Sequence, residues 1–179
     1  MRLNLNFWIA VHLIAASGLS CAEAGGVVAA KSPALFFEGW RAPLPQELDR
    51  DLCGIGVDTP LEVSADFNGD GKPDRAVIAV NESRDRSGLL VNLSSANSSR
   101  WIVVEDSEGT CATYGLEVYK PGIYTGFFCA ATDKDCKSEE KENIKTSLPG
   151  ISFFDFGRAG VVFFWNKKAG AFDRLWEGD

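Results

Sequence analysis

The segment Asp66-Phe67-Asn68-Gly69-Asp70-Gly71-Lys72-Pro73-Asp74 carries oxygen-bearing side chains at its first, third, fifth and ninth positions. Lys72, the seventh residue, offers a backbone carbonyl, and Gly71 before it allows a sharp turn. Alternate residues of such a loop turn toward one centre, the way a short chain segment builds an oxygen cage for a calcium ion. Three aspartates held close together repel one another, and a cation relieves that repulsion. The expected ligands are Asp66, Asn68, Asp70, Lys72 (through its carbonyl) and Asp74, and the expected cofactor is Ca2+. An EF-hand would place a bidentate glutamate at the twelfth position, which here is Val77, and Arg75 to Val80 reads as a strand, not a helix. Without that glutamate the site is expected to be weak, with a dissociation constant of roughly 10⁻⁴ to 10⁻³ M. The plainer alternative is a solvated Asp-Gly turn leading into a strand.

The stretch Ala65-Asp66-Phe67-Asn68-Gly69-Asp70-Gly71-Lys72-Pro73-Asp74-Arg75-Ala76-Val77-Ile78 resembles the calcium loop of FG-GAP and VCBS repeats. Those families set D-x-N-G-D-G-x-x-D between strands of a propeller blade, so the resemblance implies an ion site at these residues. A propeller needs about four or more blades. This chain has one such loop, so the site carries over and the propeller does not. Gly39-Trp40-Arg41-Ala42-Pro43, the acidic loop, Lys120-Pro121-Gly122, Pro149-Gly150-Ile151 and the stretch from Phe164-Trp165 to Trp176 are together similar to a group of small exported bacterial proteins. That similarity implies export and a single domain.

Other chemistry is bounded by what is missing. The one histidine, His12, lies in the N-terminal leader. Ser-His-Asp and Cys-His catalysis need a histidine, as do the usual zinc, copper and non-haem iron sites. Neither G-x-x-x-x-G-K-[ST] nor G-x-G-x-x-G occurs. A carboxylate pair could act on a glycosidic bond; Glu105, Glu117 and Asp155 are examples of the acids available, without a spacing that brings two together. The C-terminal aromatics Phe153, Phe154, Phe156, Phe163, Phe164, Trp165, Phe172 and Trp176 suggest a carbohydrate platform or, more simply, a two-sided core, since large rings dominate buried area. Asn81, Asn92 and Asn97 begin N-x-S sequons, which matter in a eukaryotic secretory route and are turn residues in a bacterium.

Cys53, Cys111, Cys129 and Cys136 follow the leader, an even number that suits two disulfides in an exported chain. Four cysteines allow three pairings. Cys129 and Cys136 close the short polar loop from Ala130 to Asp135, which favours pairing them and leaves Cys53 with Cys111. A thiolate zinc site lacks both its C-x-x-C spacing and a nearby histidine.

The N-terminus has a basic start at Arg2, an apolar run from Phe7 to Ala16 and an Ala22-Glu23-Ala24 end, the pattern of a signal peptide over residues 1–24. A membrane span needs about 20 apolar residues, and Asn4, Asn6 and His12 interrupt this one. Gly18-Leu19-Ser20-Cys21 offers a competing outcome, lipidation at Cys21, with the leucine one place nearer the cysteine than lipoprotein signals prefer. Cleavage after Ala24 leaves 179 − 24 = 155 residues, the size of a single domain. It removes Arg2 and Glu23 together, so the formal charge stays at −7. An acidic chain without a basic stripe is repelled by nucleic acid and anionic lipid.

The elements that must position the loop follow from the pattern. Residues 25–32 read as a lead-in and 33–179 as one β-rich domain. Pro45-Gln46-Glu47-Leu48 suits a short helix, with proline in its first turn. Ala76–Val80, Leu89–Leu93, Trp101–Val104, Leu116–Tyr119, Ile123–Phe128, Ile151–Phe156, Val161–Trp165 and Phe172–Trp176 are apolar runs bounded by turn residues, which read as antiparallel strands. Asn166 to Gly170 reads as a hairpin loop. Lys137 to Lys145 is charged without an apolar face and reads as a solvated loop. The expected fold is mainly β, a compact antiparallel sheet or sandwich of the β-rich α+β class with a short N-terminal helix and one calcium-type loop. The expected role is an exported, periplasmic or secreted, non-catalytic module that binds a protein or glycan. Its rivals are a carboxylate-dependent hydrolase and a lipid-anchored structural protein of the envelope.

Overall fold

The computed structural model describes residues 35–44, 47, 60–109, 114–132, 136, 140–155 and 160–176. The signal-peptide, lead-in, Cys21 and Cys53–Cys111 expectations lie outside them, as does the Pro45–Leu48 helix apart from Glu47. The described residues form a mainly β structure of two antiparallel sheets. The first contains β1 (Leu35–Phe37), β2 (Trp40–Arg41), β3 (Glu62–Ala65), β4 (Asp74–Asn81), β5 (Arg86–Ser94) and β6 (Ser99–Glu108). Its order is β1-β2-β4-β5-β6, with β3 also paired to β4. The second contains β7 (Tyr114–Tyr119), β8 (Gly122–Cys129), β9 (Lys141–Thr146), β10 (Gly150–Asp155), β11 (Gly160–Asn166) and β12 (Ala171–Trp176), in the order β7-β10-β11-β12-β8-β9.

Alternation of side chains decides which residues meet. Ala76, Ile78 and Val80 of β4 and Leu89, Val91 and Leu93 of β5 share one core with Leu116, Ile151, Phe153, Val161, Phe163 and Phe172 of the second sheet. The intervening Val77, Ala79 and Leu90 join Trp40 in a separate cluster, backed by Phe36, Phe37 and Trp101. On the second sheet Val162, Phe164 and Leu175 gather Tyr119, Tyr124, Phe128 and Ile144. Both faces of β4, β5 and β11 are thus apolar, which explains why they read as continuous runs. A one-residue slip in register would exchange the faces of a strand. Of the C-terminal aromatics, Phe153, Phe163 and Phe172 are buried between the sheets with Trp165 packed against them, and Phe164 is buried in the outer cluster, whereas Trp176 is exposed and Phe156 lies outside the described residues.

The eight apolar runs fall in strands over their described residues; Phe156, the end of the sixth, lies outside them. Lys137 to Lys145 was expected to be loop, yet Lys141–Thr146 pairs with β8 from Gly122↔Thr146 to Phe127↔Lys141. Its backbone supplies the pairing while its charged side chains face solvent, the way sheet edges are protected from further pairing. The Pro121-Gly122 turn also joins strands that do not pair: β7 lies beside β10, and β8 lies between β12 and β9.

One buried ion pair holds the first strands. Arg41, only 7 % exposed, donates to Glu47 Oε2 at 2.6 Å and Oε1 at 2.7 Å, and to Glu82 at 3.3 Å. Glu47 also accepts the Leu44 N–H at 2.7 Å. The Arg41 guanidinium holds the Glu47 carboxyl below its usual range.

Candidate functional site

The acidic loop is the connection of the β3–β4 hairpin, closed by the pair Ala65↔Asp74. Phe67 is fully buried and joins the core between the sheets, so the loop is anchored from inside. Around that anchor each polar side chain caps the backbone ahead of it. Asp66 Oδ1 accepts the N–H groups of Gly69 (2.7 Å) and Asp70 (3.1 Å), and its Oδ2 accepts that of Gly71 (2.9 Å). Asn68 Oδ1 accepts the Asp70 N–H at 2.9 Å, and Asp70 Oδ1 accepts the Lys72 N–H at 2.9 Å.

Asp74 stands apart from the other predicted ligands. It is fully buried, and its Oδ2 accepts the N–H groups of Phe67 (3.0 Å) and Asn68 (3.2 Å). Its Oδ1 accepts the Ser94 N–H at 2.8 Å and Asn68 Nδ2 at 3.5 Å. A carboxylate offers about four lone-pair sites, so Asp74 is committed to ordering the loop base and tying it to the end of β5. Burial pushes its carboxyl above the usual range against the pull of the three backbone donors, and the Asp70 carboxylate adds to the push. Spacing alone groups Asp74 with the ligands. Its position at the start of an apolar strand was the signal that it would be buried.

The two loop glycines serve different ends. Gly71 has φ +85° with open space beside it, so it is needed for its backbone conformation alone. Gly69 has φ +74°, and a β-carbon there would come within 2.8 Å of Leu148 Cδ2 and 3.0 Å of Lys167 Nζ. The loop tip therefore abuts the β9–β10 link and the β11–β12 hairpin. That hairpin is closed by Asn166, whose Oδ1 accepts the N–H groups of Lys168 (3.0 Å) and Ala169 (3.1 Å). Its Nδ2 donates to both oxygens of Asp173, at 3.2 and 3.1 Å.

Among the described residues no group of three or more His, Cys, Asp or Glu side chains is placed to hold a metal ion. The donors that the loop offers are of mixed kind: the Asp66 and Asp70 carboxylates, the Asn68 amide oxygen and the Lys72 carbonyl. Calcium accepts such mixed oxygen sets. Cys129 and Cys136 are disulfide-bonded with a Cα–Cα distance of 5.4 Å, the pairing expected from their short spacing.

Of the carboxylates that a hydrolase could draw on, Glu105 is half-buried and lies 3.5 Å from Arg174 across the sandwich. Burial pushes its carboxyl above the usual range, and Arg174 opposes the shift. The neighbouring Asp106 is engaged by Arg86 at 2.9 Å, and Glu117 is exposed on β7.

The chain matches no protein-family model, no curated protein and no solved structure. No helix among the described residues is long and apolar enough to cross a membrane.

Proposed function

We propose that this is an exported, non-catalytic binding module whose β3–β4 loop takes a calcium ion. The observation that carries the reading is the capped loop itself. Side chains at alternate positions, Asp66, Asn68 and Asp70, each hold the backbone ahead of them, while Asp74 and Phe67 fix the base. Asp66, Asn68, Asp70 and the Lys72 carbonyl would supply the oxygens, with Asp74 as the buried anchor that orders them. The ion would stiffen a loop whose tip touches two connections of the second sheet, giving that end of the molecule a fixed surface for a partner. The test is thermal unfolding in chelator and in millimolar calcium. Calcium at about ten times its dissociation constant adds roughly 1.4 kcal/mol by mass action. The parent should show that gain and Asp70→Ala should not. Equal melting of parent and variant in both conditions would reduce the loop to a turn.

A hydrolase is favoured by one observation, the raised carboxyl of Glu105. The Arg174 partner and the engaged state of Asp106 leave it without a second free carboxylate at hand. Turnover of glycoside, ester or peptide substrates that is lost in Glu105→Gln would establish that rival.

A further inference from the structure

Beside the loop tip lies a cleft of about 230 Å³. One wall is the end of β9 and the β9–β10 link, Ile144 to Leu148; the other is the β11–β12 hairpin with Trp165, Lys167 and Asp173. Phe128 and Phe164 complete an aromatic lining. A β-carbon on Gly69 would meet Leu148 and Lys167, which both line the cleft, so the loop and the cleft share a boundary.

The charges around the cleft are specific. The protein is acidic, with a formal charge of −7, and Arg41, Arg75, Arg84, Arg86 and Arg174 each have a carboxylate partner. Lys145 and Lys167 both line the cleft, and neither has a carboxylate at ion-pair distance among the described residues. The one acid there, Asp173, accepts from Asn166 Nδ2 and from the Ala131 N–H at 2.7 Å and is outnumbered by the two lysines. Thr146 and Ser147 add hydroxyls. The volume falls below the roughly 300 Å³ at which drug-sized ligand sites begin, so the occupant is the size of a single ring.

We propose that this cleft binds a small ring-bearing carboxylate, with its ring against Phe128 and Phe164 and its carboxylate held by Lys167 and Lys145. Aromatic side chains supply a face for a sugar or benzene ring. A lysine ammonium is a compact, flexible cation suited to a single carboxylate. Two sources present this chemistry, a sugar acid and an aromatic acid. A peptide is disfavoured because β11 and β12 already pair on both sides, and the edge strand β9 carries Lys141, Glu142 and Lys145, charges that protect a sheet edge from further pairing. The inference rests on the binding-module part of the reading above and not on its calcium.

The experiment titrates the protein purified after export with glucuronate, 4-hydroxybenzoate, glucose and phenol, by calorimetry and by NMR shifts, first in chelator and then with calcium. At least one carboxylate should saturate below roughly 10 mM and bind about tenfold more tightly than its neutral counterpart. The carboxylate that binds identifies the source. Lys167→Gln and Lys145→Gln change exposed residues and should fold like the parent; Lys167→Gln should weaken binding about tenfold. Absence of saturation with both carboxylates, equal affinity for the neutral compounds, or unchanged affinity in both folded variants would overturn the proposal. Calcium binding without carboxylate binding would sink this inference alone; carboxylate binding without calcium would sink the ion reading alone.

Discussion

Replacing Asp74 by alanine separates the anchor of the loop from its ion ligands. The change removes the acceptor for three backbone N–H groups, those of Phe67, Asn68 and Ser94. A buried donor left without a partner costs about 1–3 kcal/mol. The Phe67 bond is fully buried and carries the larger cost; the other two are partly buried, so water can recover part of theirs. The variant also escapes the desolvation of a buried carboxylate, which offsets some of the loss. The net expectation is a destabilisation of about 3 kcal/mol, present in chelator and in calcium alike. Asp70 is exposed and caps only the Lys72 N–H, so Asp70→Ala should cost within about 0.5 kcal/mol in chelator. Urea unfolding monitored by tryptophan fluorescence, with and without calcium, measures both. If Asp74→Ala unfolds at the parental midpoint in chelator, the carboxylate does not organise the loop and the anchor argument fails.

Three further outcomes follow from the same structure. Glu47→Ala leaves the buried Arg41 guanidinium with the longer, exposed Glu82 contact alone and should cost about 3 kcal/mol by urea unfolding. Because Arg41 lowers the Glu47 pKa, that carboxylate contributes stability above its ordinary value of 4.5 and loses it as pH falls through the lower folded value, so Glu47→Gln should flatten the acid limb of the stability curve. Glu105 has the opposite sign: its raised pKa gives stability below 4.5 that fades as pH rises through the folded value, so Glu105→Gln should gain on the parent over that rise. Opening the Cys129–Cys136 bridge by replacing both residues with serine should cost about 2–3 kcal/mol, the loop-closure contribution of a short loop. Non-reducing peptide mapping should recover that bridge, and free thiol at either residue would remove it.

Strands with two apolar faces were legible because Ala76–Val80, Leu89–Leu93 and Val161–Trp165 must be buried wherever they lie. β9 was hidden because its pairing is made by the backbone, while Lys141, Glu142 and Lys145 display only charge to the sequence. Strand order was equally hidden: no local signal tells β7 to cross to β10 instead of returning on β8. At the site, alternation of Asp66, Asn68 and Asp70 gave the loop its curl. Burial of Asp74 depends on Ser94, a residue twenty positions away, which spacing within the loop does not contain. The closeness of Gly69 to Leu148 and Lys167, which leaves no room for a β-carbon, depends on the second sheet in the same way.

Calorimetric titration of chelated protein with calcium tests the central claim most directly. A single saturable event with a dissociation constant of roughly 10⁻⁴ to 10⁻³ M, absent from Asp70→Ala at unchanged folding, is the predicted result. No binding heat up to roughly ten times that range, together with identical melting in chelator and calcium, would contradict it.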